Sequence, residues 1–168
     1  YATGGREIGE LVAKKRNIPC YGGEVLQMAA KQIGLEPENV EHMDEQAPNS
    51  LLYSLAAMAR PITFGNGTLP KENLLQQKEA ENIYKLAQQG SCVFVGHRAG
   101  AVLKARQDVL RVFIHADKDF RLQRAINNYH VPQQDAETVL KRFDHQRANY
   151  YRFYTTQNWD DPKRYPLV

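Results

Sequence analysis

The chain has 168 residues, 42% of them hydrophobic, which is the usual length of one domain and enough apolar material for one core. A formal charge of +3 is too weak for a dedicated nucleic-acid partner but suits anionic small molecules such as nucleotides. Cys20 and Cys92 stand apart without zinc or disulfide spacing, no apolar run reaches the roughly 18 residues of a membrane span, and no secretory signal pattern opens the chain, so a cytoplasmic location is expected.

Taken in chain order, Arg6 to Arg16 carries Ile8, Leu11 and Val12 at helical spacing, and Asn17-Ile18-Pro19 ends it before a short strand at Ile18 to Tyr21. Glu24 to Ile33 is again helical in pattern, with Gly34 as its stop. Pro37 opens a short helix to about Met43, and Asn49 to Arg60 follows as another behind an Asn or Ser cap. Pro61 to Pro70, with Gly65-Asn66-Gly67, reads as a flexible surface loop, and Lys71 to Gln89 as a long helix. The apolar runs Cys92 to Val95 and Val109 to Ile114 fit parallel strands buried on both faces. Helices are expected from Asp117 to about Asn128 and from Pro132 to about Thr156, and Tyr165 to Val168 begins a last strand. Strands alternating with helices predict a doubly wound α/β layer that binds ligands beyond the carboxyl ends of its strands.

The first chemical signal is Thr3-Gly4-Gly5-Arg6-Glu7. A glycine turn that opens a helix presents free backbone N–H groups and the positive end of the helix dipole, which together hold phosphate. Two glycines before a helix also make an ordinary turn, so the loop needs support from the rest of the chain.

That support is a resemblance. Ala2-Thr3-Gly4-Gly5-Arg6-Glu7-Ile8-Gly9 resembles the phosphate loop of the cytidylate kinase-like family, within the P-loop nucleoside monophosphate kinases. Ile18 to Tyr21, Asn49 to Ser54, Val93 to Gly96, Val109 to Ile114 and Arg147-Ala148-Asn149-Tyr150-Tyr151, followed by Trp159, are similar to that family's segments in the same order. The resemblance implies a three-layer P-loop kinase fold over residues 1–168, with a parallel sheet flanked by helices and a helical lid at about 117–157. It also implies phosphoryl transfer from ATP, with magnesium, to CMP or a related monophosphate. Such transfer needs positioning and positive charge more than covalent help. Arg6 then stands for the usual loop lysine and Glu7 for the magnesium-binding Ser or Thr of GxxxxGK[ST], which leaves no certain metal ligand. Arg121, Arg124 and Arg147 become the catalytic arginines of the lid, with Asp144 able to orient Arg147, because the guanidinium fork suits phosphate oxygens. Gly22, Gly23, Arg98 and Asp144 are the candidate substrate contacts. Tyr150, Tyr151, Phe153, Tyr154 and Trp159 read either as base-stacking residues or as core, and the long last helix offers a surface for a homodimer.

The chain also departs from that pattern. Gly22-Gly23 replaces an Asp-Lys pair, Gly96-His97-Arg98-Ala99-Gly100 lacks an aspartate, and Ala2 replaces a loop glycine. Two other readings therefore stay open: a kinase-like fold that binds a nucleotide or other phosphate ligand without turnover, and a protein-interaction module docking through Gly65-Asn66-Gly67 and the Tyr-rich segment. A P-loop fold also needs a central strand before its glycine loop. That first strand is absent from this chain, so it is expected to precede Tyr1 in the natural protein, which is also expected to continue past Val168.

Overall fold

The computed structural model describes residues 1–36 and 71–168, with the short strands at 63–64 and 67–68 between them. The helices expected at Pro37 to Met43 and Asn49 to Arg60 lie outside the described residues. Helix α1 (Gly5–Arg16) leads to β1 (Cys20–Tyr21) and α2 (Glu24–Gln32). Strands β2 (Thr63–Phe64) and β3 (Gly67–Thr68) pair antiparallel, so the stretch expected to be an open loop contains a small hairpin. Helix α3 (Lys71–Gln89), β4 (Val93–Phe94) and the short α4 (Ala99–Val102) follow. The last third holds α5 (Lys118–Tyr129), α6 (Ala136–Thr155) and a 3₁₀ turn at Pro162–Arg164.

The parallel pairing expected of the apolar runs is present in part. β1 and β4 pair in parallel, with Cys20 opposite Val93 and Tyr21 opposite Phe94. Among the described residues, the run from Val109 to Ile114 makes only an isolated parallel bridge, Val112 to Leu167, backed by the Phe113 N–H donating to the Leu167 carbonyl at 3.0 Å. Among the described residues the architecture is helix-rich, with a small parallel two-strand sheet, and less regular than a full doubly wound layer.

Three apolar clusters hold these pieces together. α2 lays Leu26, Ala29, Ala30 and Ile33 on Leu75 of α3. Val25, Ile83, Ala99 and Leu103 join α2, α3 and α4 over the sheet, with Tyr21 and Phe94 packed against them. Ala2, Ala125 and Leu140 join the chain start to α5 and α6. The small residues matter because they let helix backbones approach closely, and the last cluster fixes the start of the chain against α5 and α6.

Gly9 performs the same service where α1 meets the sheet. A Cβ there would stand 2.6 Å from Val95 Cγ2 and 3.5 Å from Val93 Cγ1. Alanine gains up to about 1 kcal/mol over glycine in a helix interior, while overpacking costs about 1–3 kcal/mol. Gly9→Ala is therefore expected to lower the urea midpoint, and Val95→Ala in the same chain to restore part of it. A Gly9→Ala protein as stable as the wild type contradicts this close packing.

Candidate phosphate-binding site

The glycine loop folds as its composition requires. Gly4 adopts φ +82°, a left-handed conformation that glycine takes at little cost, and its carbonyl accepts the first helical bond from Ile8 N–H at 3.0 Å. No side chain caps α1, so the N–H groups of its first turn remain available to a ligand. Ala2 also has positive φ, at +57°, in a buried position where a glycine would be less strained.

Helix α5 leans on this loop through two arginines one turn apart. Arg121 Nε donates to the Tyr1 carbonyl at 2.8 Å, and its Nη2 reaches both Asp144 oxygens at 2.7 Å. Asp144, expected to orient Arg147, is engaged by Arg121 of the facing helix. Arg124 lies over the open face of Gly4, its Cζ 3.8 Å from the position a Cβ would occupy, and its Nη2 donates to Glu7 Oε1. Glu7 Oε2 and Arg124 Nε are both buried and have no hydrogen-bond partner among the described residues.

The remaining candidates fall in different places. Arg6 extends along the exposed side of α1, its Nε 2.9 Å from Glu10 Oε1. Arg147 is exposed and makes no hydrogen bond or ion pair among the described residues. It nevertheless borders, with Thr3, Gly4, Gly5 and Arg6, a cleft of about 1280 Å³. Gly22 and Gly23 border the same cleft at the start of α2, where the Gly22 N–H donates to Glu24 Oε2 at 2.6 Å. Hydrogen bonds from Glu24's own backbone and from Gly22 hold the Glu24 carboxyl below its ordinary pKa.

Arg98 borders the same cleft, with its guanidinium paired to buried groups of α3. Gly96, His97 and Arg98 have φ of +81°, +55° and +56°, three left-handed residues in succession. The turn is held by Glu79, whose side chain is fully buried: His97 Nδ1–H donates to Oε1 at 2.9 Å and Arg98 Nη2 to Oε2 at 2.7 Å. Gln76 Oε1 accepts from Arg98 and from the Tyr150 hydroxyl, the latter at 2.8 Å. The Tyr154 ring lies 4.7 Å from the Arg98 guanidinium. Burial, reinforced by the Glu79 charge, pushes the Tyr150 phenol above its ordinary pKa, so its hydroxyl keeps its proton and donates a hydrogen bond. Tyr150 and Tyr154 thus pack internally, and Trp159 meets Phe113 edge-on at 5.4 Å.

Sequence reasoning did not single out Glu79 or Gln76. The signal for them lies in the buried stripe of α3, where Leu75, Gln76, Glu79, Asn82 and Ile83 recur at helical spacing. A carboxylate in an apolar stripe requires a buried cation, and Arg98 is that cation.

A glycine turn opening a helix, beside a parallel sheet and under a guanidinium, defines a mixed helix-and-sheet domain suited to an anion. The family model of the cytidylate kinase-like family matches residues 1–168, and the chain belongs to that family. A crystal structure of an uncharacterized protein from Eubacterium ventriosum is similar in fold, with a TM-score of 0.70 and 22% identity over 99% of this chain and 80% of that one. No curated protein matches the chain. No described helix is long and apolar enough to cross a membrane.

Proposed function

We propose that this chain is a nucleoside monophosphate kinase-like phosphotransferase, with ATP as donor and CMP or a related monophosphate as acceptor. The observation that carries the reading is the Gly4-Gly5 turn opening α1 with Arg124 laid across it. In this reading residues 1–168 form a P-loop kinase-like domain whose lid, about 117–157, contains α5 and α6. The backbone N–H groups from Thr3 to Glu7 hold phosphate oxygens, and Arg124 and Arg147 neutralise charge on them. ATP with magnesium supplies the phosphoryl group when bound. Arg6 joins the phosphates by leaving Glu10, an exposed pair of a kind worth only about 0–1 kcal/mol. Gly22 and Gly23, with no side chains, leave room for the acceptor where the cleft passes the start of α2.

The departure at Arg98 supports a second reading, a kinase-like protein that binds nucleotide without turnover, because that guanidinium is spent on Glu79. A coupled ADP-release assay with ATP, magnesium and a panel of monophosphates separates the two. Turnover is expected, and Arg6→Ala should lower it roughly 10²-fold, the usual effect of losing one charge-stabilising donor. Turnover unchanged by that substitution removes Arg6 from the mechanism. Nucleotide binding with no turnover on any acceptor favours the second reading.

A further inference from the structure

We propose that Tyr150 is a positioning residue: its hydroxyl ties α6 to Gln76 of α3 and so sets where Arg147, one turn earlier on α6, enters the cleft. The proposal rests on the reading of Arg147 as a phosphate contact and adds to it the group that places that side chain.

The two halves of α6 are held differently. Its first half packs through Ala136 and Leu140, and Asp144 pairs with Arg121 of α5. Beyond Asp144, no residue of α6 belongs to a buried apolar cluster among the described residues, and Phe153 is 68% exposed. The described link from this half to α3 is polar. The Tyr150 hydroxyl donates to Gln76 Oε1 at 2.8 Å and lies 3.4 Å from Glu79 Oε2. The Arg98 guanidinium sits 5.5 Å from the Tyr150 ring and 4.7 Å from that of Tyr154. Gln76 and Glu79 are themselves buried on α3, which fixes the acceptors. Apolar burial is non-directional, whereas a hydrogen bond weakens steeply once its distance or angle departs from a narrow range, so this contact sets a position as well as a face.

Arg147 lies midway between two such ties. Asp144, three residues before it, takes two bonds of 2.7 Å from Arg121 of α5, and Tyr150, three residues after it, bonds to α3. Residues three apart are neighbours on a helix surface, so Arg147 is bracketed by groups pinned to different helices. Its own side chain is exposed and makes no hydrogen bond or ion pair among the described residues, so it takes its place from the helix that carries it. Tyr150, Gln76 and Arg98 border the same cleft as Arg147 and the glycine loop, which puts the tie beside the space that Arg147 serves. A misplacement of about 1 Å at a group that orients a reacting ligand can cost roughly 10²-fold in rate. Burial holds the Tyr150 phenol above its ordinary pKa, so the donor persists through the neutral range.

A double-mutant cycle, read by calorimetric titration of the full chain with inorganic tripolyphosphate, tests the assignment without relying on turnover. Arg147→Ala is expected to weaken binding about tenfold, the scale of one charge-assisted contact. Tyr150→Phe removes only the hydroxyl. It should weaken binding about fivefold where Arg147 is present and less than about twofold where Arg147 is already alanine, because a residue that acts through another loses its effect with it. A merely structural role would give the same loss in both backgrounds. Equal losses in the two backgrounds, or no loss in either, therefore overturn the positioning role and leave Arg147 as a phosphate contact. Should Tyr150→Phe not fold, Gln76→Met breaks the same bond from the α3 side and decides by the same comparison. A wild type that does not bind tripolyphosphate, or an Arg147→Ala chain that binds it as tightly as wild type, overturns the phosphate reading of Arg147 and the proposal with it.

Discussion

Replacing Glu79 with alanine is expected to lower the melting temperature by roughly 10 °C, the largest stability loss of any single side chain in the site. Removing one partner of a buried ion pair costs about 3–5 kcal/mol, and a chain of this size loses about 2–4 °C per kcal/mol. Arg98, only 9% exposed, would keep its charge with no carboxylate to meet it. The turn adds a second loss. Non-glycine residues in left-handed backbone cost about 1–2 kcal/mol each, and His97 and Arg98 are held there while both donate to Glu79. Glu79→Gln keeps the shape and one acceptor, so it should fall between the alanine variant and the wild type. Differential scanning calorimetry measures both. An alanine variant melting within about 2 °C of wild type would mean that the turn and the cation do not depend on this carboxylate.

Regular elements with strong periodicity were readable before any coordinates. α1, α2, α3, α5 and α6 lie where helical spacing and their stop signals place them, and Gly34 takes the positive φ expected of a helix stop. The family was readable for a different reason: the glycine loop and the Arg147 to Tyr151 segment combine residue types that a surface turn and a solvated helix have no need of. Pairing was less legible. Val109 to Ile114 has the composition of a buried strand, yet a strand exists only through its neighbours, and among the described residues Val112 finds one in Leu167 alone. Partner choice was least legible. Asp144 and Arg147 are close in sequence on one helix, but Arg121 on the facing helix meets Asp144 with two bonds at 2.7 Å. Side chains on packed helices meet across the interface, and that geometry follows from α5 and α6 packing together, which no local pattern encodes. The same holds for Arg98, whose partner comes from 19 positions earlier on α3.

The two arginines of α5 should separate function from stability. On the proposed kinase-like function, Arg124→Met is expected to reduce phosphoryl transfer by about 10²–10³-fold, because a guanidinium aimed at transferring phosphate is among the larger single contributions in such reactions. Its effect on melting should be small. The partner it abandons, Glu7, is 46% exposed and can be hydrated by water. Arg121→Met should do the reverse in proportion: its side chain is 19% exposed and its loss frees Asp144, the Tyr1 carbonyl and the junction of α5 with α6, so a drop of several degrees is expected. Activity would fall in Arg121→Met as well, since Ala2 packs on Ala125 and Leu140 and the glycine loop follows directly. That loss should be partly recovered at low temperature, where the fold is restored, while the loss in Arg124→Met should not. Turnover and thermal melts measured side by side decide the matter. Equal melting losses in the two variants, or Arg124→Met turnover within about twofold of wild type, would place Arg124 among the groups that hold α5 in place rather than those that meet phosphate.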